Sequence, residues 1–239
     1  MKELNPSNWI YWFGLITIAC MLLPIVAVLI RQQFSFSFVA LLVYFSFTFL
    51  YNLLFIAFPE FPPNTRRTIG ILNNFLDVPL ILIFLRHFCT SERLKKMLNI
   101  SLVSFLVFVI IVVFIHGFTV KAISIFEGPG ILLILAFSFY FFTKYVKMAF
   151  TQKGEISKTL MTSGILFAYS VYFLVFLFYY VLKTPHKLDA LIVYFFASLI
   201  ASVLIGIGLL TLKRPTIPNE RSKVKGQRPK VKSERWSTT

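Results

Sequence analysis

Residues 98–117 read LNISLVSFLVFVIIVVFIHG, a run with no Lys, Arg, Asp or Glu. At 1.5 Å per helical residue it reaches about 30 Å, the thickness of a bilayer's hydrocarbon core. Inside hydrocarbon every backbone amide needs an internal partner, so a run of this kind is a transmembrane helix. A β-barrel strand would instead alternate apolar and polar residues over about ten positions. Six further runs have the same character, at approximately 9–30, 34–58, 69–88, 123–143, 160–182 and 190–211. The fold class expected is all-α, an integral membrane bundle of seven transmembrane helices. The domain plan is a short outer N-terminus at 1–8, a membrane domain at 9–212 and a basic, disordered cytoplasmic tail at 213–239. The run at 9–30 follows a nearly neutral start and has no small-residue cleavage site after it, so it reads as a retained helix.

The composition follows from these runs. Of 239 residues, 58% are hydrophobic and 14% charged, with 29 Phe. A soluble domain is nearer half apolar and about a quarter charged. A soluble globular enzyme and a disordered chain are both excluded. The net charge of +15 comes from 24 Lys and Arg against 9 Asp and Glu. Positive residues favour cytoplasmic loops. With the N-terminus outside, the cytoplasmic segments carry 18 basic residues and the outer ones 6. The expected orientation is N-out and C-in, in a cell (plasma) membrane of the bacterial inner-membrane kind.

The tail, from Lys213, holds nine basic residues. Its expected partners are membrane lipids, with anionic head groups near the tail. The inner loops leave room for a cytoplasmic protein partner. Nucleic acid is not expected, because the tail lacks aromatic interleaving or an RNA-binding motif. Oligomeric state is open. Cys20 and Cys89 lie in apolar runs and read as small buried hydrophobes. No cofactor is implied. No metal is expected either, because the three His residues have no ligand spacing.

Polar groups inside hydrocarbon need a reason to be there. The third span carries Asn73, Asn74 and Asp77, followed by Pro79. Asn73 and Asp77 are four apart and share one helix face. From an outer end near Gly70, Asp77 would lie about 10 Å deep. Two readings stand: a ligand, ion or proton site, or a hydrogen-bond clamp between helices. Glu127 lies in Glu-Gly-Pro-Gly at 127–130, a poor helix interior. The fifth helix is therefore expected to begin after it, with Pro129 in the first turn. The other reading is a re-entrant turn lining an outer cavity with Asp77. Asn52 on the second span falls toward the same side. Trp9, Trp12, Tyr179 and Tyr180 read as interfacial anchors. The candidate ligand-binding set is Asn52, Asn73, Asn74, Asp77 and Glu127.

Two stretches resemble the microbial rhodopsins, whose seven-helix, N-out layout is also similar. Pro79-Leu80-Ile81-Leu82-Ile83 is similar to the proline-leucine run of their third helix, and that alignment puts Asn73 at the counter-ion position. Leu204-Ile205-Gly206-Ile207-Gly208-Leu209-Leu210 is similar to the end of their seventh helix, and it puts Leu204 where the retinal-binding lysine belongs. Tyr169-Ser170 resembles their tyrosine-proline pair loosely. No Lys occurs in 190–212. The resemblance therefore implies a rhodopsin-like scaffold without photochemistry, and it carries over no functional residue.

No Gly-x-Ser-x-Gly elbow, His-Glu-x-x-His pair or phosphate-cradling glycine loop is present, so no catalytic residue is assigned. The function expected is a non-enzymatic receptor or sensor-like protein with an outward-facing polar cavity for a small or lipid-like ligand. The alternative is a transporter or proton/ion conductor using Asp77, although the inner half offers only Ser163, Ser198 and Ser202 for a relay. A membrane-embedded lipid enzyme is third.

Overall fold

A computed structural model describes residues 9–32, 34–57, 62–151, 155–182 and 187–212. The N-terminal segment 1–8 and the basic tail lie outside the described residues. Within them the chain is helical, and seven helices are long and apolar enough to cross a membrane. They are α1 (Trp9–Arg31), α2 (Phe36–Ala57), α3 (Pro63–Leu85), α4 (Glu92–His116), α5 (Val120–Thr151), α6 (Ile156–Phe176) and α7 (Lys187–Thr211).

Several helices run past their apolar stretches. α3 starts at Pro63, whose missing N–H suits a first turn. α4 starts at Glu92, after Ser91 caps it by accepting from the Leu94 amide at 3.3 Å. It ends at Gly117, whose φ of +68° is the left-handed conformation that glycine tolerates. α5 corrects an expectation. It begins at Val120, two turns before Glu127, and Gly128-Pro129-Gly130 lies inside it.

Those glycines are there for packing. A Cβ on Gly130 would lie 2.6 Å from Val78 of α3, and one on Gly128 would lie 2.8 Å from the Phe176 ring of α6. Only a residue without a Cβ lets the three helices approach this closely. The packing gain outweighs the glycines' low helix propensity, which summed over two residues is about 2 kcal/mol.

Six helices close a ring, in the order α1, α2, α3, α5, α6, α7 and back to α1. α4 sits outside it, against α3 and α5. Its outward side is apolar and exposed at Ile100, Val103, Val107, Ile110 and Phe114, as expected of a lipid-facing surface. The ring interior is filled by Leu41, Leu82, Phe84, Phe126, Phe141 and Met161, all fully buried. A second cluster of Ile18, Ile56 and Phe195 joins α1, α2 and α7. The α1–α2, α3–α4 and α5–α6 connections lie at one end, the basic face, which also carries Arg86, Lys95, Lys96, Lys144, Lys147 and Lys158.

That face is tied together by one tyrosine. The buried Tyr145 hydroxyl of α5 donates to the Phe88 carbonyl at 2.7 Å, in the 3-10 turn Arg86–Phe88 that ends α3. Lys158 lies 5.1 Å above its ring and pairs with Glu155 at 2.9 Å. Lys144 donates to Thr90. At the opposite end α6 continues into a π-helical turn, Leu177–Val181, closed by a Leu182 amide to Leu177 carbonyl bond of 2.9 Å.

Candidate functional site

Asp77 is the fifteenth residue of the 23-residue α3, so it lies in the middle third of the bundle, deeper than a helix starting at Gly70 would put it. Pro79 follows two residues on and leaves the Phe75 carbonyl without its helical N–H partner. The carboxylate faces the ring interior. Tyr169 of α6 donates to its Oδ1 at 2.5 Å. Tyr44 of α2 borders the same small cavity as Tyr169. One carboxyl group thus joins α3 and α6. A hydroxyl donor suits a carboxylate, which only accepts.

The polar chain continues on either side. On α6, Tyr172 lies edge-on to Tyr169 with ring centres 5.4 Å apart. Its hydroxyl shares a 2.7 Å hydrogen bond with Ser198 of α7. Tyr172 also stacks on Tyr194 of α7 at 5.3 Å. The Tyr194 hydroxyl accepts from Asn52 Nδ2 at 3.4 Å, and the same amide donates to the Thr48 carbonyl at 2.8 Å. Thr48 in turn donates to Asn73 Oδ1 at 3.5 Å, the outer limit of a hydrogen bond. The chain therefore runs through α2, α3, α6 and α7 and returns to α3 one turn from Asp77.

A cavity of about 20 Å³ lies against this chain, bordered by Tyr44, Thr48, Tyr169, Tyr172, Ser198 and Ser202. That is room for about one water molecule, and the rest of the wall is apolar, with Met21, Phe45, Ile81 and Ile165 among its residues. Drug-sized ligands occupy sites of about 300 Å³ or more.

Of the candidate residues, Asn52, Asn73 and Asp77 enter one chain of contacts. Glu127 stands on α5, the helix packed beside the α3 of Asp77. Its Oε2 is buried and has no hydrogen-bond partner among the described residues. Asn74 is partly buried, one residue round the helix from Asn73, and makes no hydrogen bond with the chain among the described residues. Sequence reasoning did not find the tyrosines. Tyr169 and Tyr172, three apart on one face of α6, were the available signal, because both lie more than a turn inside the helix, away from the interfacial belt.

The seven apolar helices make the chain a multi-pass membrane protein. No family model, no curated protein and no solved structure matches it.

Proposed function

We propose that this is a non-enzymatic receptor or sensor-like protein of a cell membrane, oriented N-out and C-in, whose ligand acts on the Asp77 chain from the outer side. One observation carries the reading. The Asp77 carboxyl group of α3 is tied to α6 by the Tyr169 hydroxyl at 2.5 Å. Any group that competes for Asp77 changes how α6 is tied to the rest of the ring. α6 and α7 share the Tyr172–Ser198 bond, so they would move together. The π-helical turn at the outer end of α6 supports this, since such turns are frequent at functional sites and can absorb a shift in register. The small cavity fits a resting state that opens when ligand binds.

The test is hydrogen exchange on the reconstituted protein. Asp77→Asn and Tyr169→Phe should each raise exchange in the first turns of α6 and in the Arg86–Phe88 turn, with the α1 amides unchanged. Exchange identical to wild type in both variants would remove the basis for a switch at Asp77.

A second reading has its own observation. The Glu127 oxygen is buried and has no hydrogen-bond partner among the described residues, and it stands on the helix packed against that of Asp77, so it offers a second acid for a proton or cation path. Proton flux into dye-loaded vesicles that disappears in Asp77→Asn would favour a conductor over a receptor.

A further inference from the structure

At the basic face, the 3-10 turn after α3 and the first turns of α4 enclose an open groove of about 400 Å³. Arg86, Glu92, Lys95 and Lys96 line its mouth, and Asn99, Ile100, Val103 and Ser104 continue it along α4. Three cations against one carboxylate leave the groove net positive. Lys95 already pairs with Glu92 at 2.6 Å, and Arg86 and Lys96 are exposed.

The lining changes chemistry with depth. Measured along α4 from Lys96, Asn99 is about 4–5 Å deeper, Val103 about 10 Å and Ser104 about 12 Å. Cationic side chains therefore stand at the helix end, an amide comes next, and the apolar Ile100 and Val103 follow, with the small Ser104 hydroxyl beside them. A phospholipid has the same order: phosphate, ester oxygens, acyl chain. Ile100 is 56% exposed and Val103 59% exposed, on a helix that packs chiefly against α3 and α5 among the described residues. The groove thus opens sideways onto the lipid-facing surface of α4. A soluble anion would match the charge but would leave this apolar continuation uncovered.

We propose that this groove is a binding site for an anionic phospholipid of the adjacent leaflet, with its phosphate between Arg86 and Lys96 and one acyl chain lying along Ile100 and Val103. The site is independent of the Asp77 reading, and it is distinct from general attraction between lipids and the basic tail. Basic pockets beside transmembrane helices are suited to such head groups, at about fivefold in affinity per well-placed cation.

Native mass spectrometry of the full-length protein in detergent, with equimolar phosphatidylglycerol and phosphatidylcholine, provides the test. The wild type should retain phosphatidylglycerol in preference by about tenfold or more. Lys96→Gln should reduce the preference about fivefold, and Arg86→Gln with Lys96→Gln should abolish most of it. A control with Lys223, Lys225, Lys230 and Lys232 all changed to Gln should keep it. Both groove positions are exposed, so the variants should melt with the wild type. Val103→Glu, a second variant that leaves the cations in place, should also lose the lipid. Three results would overturn the proposal: an unchanged preference in the groove variants, a preference that disappears with the tail, or displacement of the lipid by inorganic phosphate alone.

Discussion

The contact between Asp77 and Tyr169 joins two helices at residues 92 positions apart in the chain. Hydrogen bonds between membrane helices average about 0.6 kcal/mol in double-mutant cycles and reach about 1.7. The carboxylate acceptor places this one at the upper end. A cycle of Asp77→Asn and Tyr169→Phe, read by unfolding in detergent, should give a coupling near 1–1.7 kcal/mol. Tyr145→Phe should cost about 1 kcal/mol, because it leaves the buried Phe88 carbonyl without its donor. Cys89, just past the end of the third span, gives a pH test. Burial pushes its thiol up from the ordinary range. The thiolate is the reactive form, so a raised pKa means less of it at neutral pH. In a Cys20→Ser background, maleimide should label slowly at pH 7, and the rate should still be rising at a pH where a free thiol has levelled off. Labelling at the free-thiol rate at pH 7 would contradict the buried placement.

At the scale of the helices, glycine decides how close neighbours come. A Cβ on Gly208 of α7 would lie 2.8 Å from the Ser157 carbonyl oxygen of α6, which is backbone and cannot swing away. A Cβ on Gly128 meets the edge of the Phe176 ring, which can turn. Gly208→Ala should therefore cost about 1–3 kcal/mol, the usual range for overpacking, and Gly128→Ala less. Equal losses in thermal unfolding would show that the α6–α7 seam is softer than its geometry implies. The seven elements were legible because runs such as 98–117 admit one solution in hydrocarbon. The start of α5 was not. Gly-Pro-Gly reads locally as a break, and the tertiary gain from packing on Val78 and Phe176 overrides that preference.

At the scale of the whole molecule, the charge and the polar chain occupy different parts of the bundle. Basic residues gather at one face, while the chain runs from Asp77 at mid-depth to Asn52 nearer the opposite end. The candidate acids and amides could be picked out in the sequence because polar residues are expensive there. Their partners could not. Tyr169, Tyr172 and Tyr194 count as aromatic in any composition, and only the closing of the ring sets which hydroxyl meets which acceptor. The same holds for α4: its charge-free stretch is the most apolar of the seven, yet nothing in it says that it stands outside. On the reading proposed above, Asp77 holds α6 in place through Tyr169. Spin labels at Ser35→Cys and Ile156→Cys, with Cys20→Ser and Cys89→Ser, report the α2–α6 distance at the basic face by electron double resonance. If Asp77 is the tie, Asp77→Asn broadens that distribution or shifts it by about 2 Å, the scale of helix displacements in switching bundles. An unchanged distribution in Asp77→Asn would contradict it.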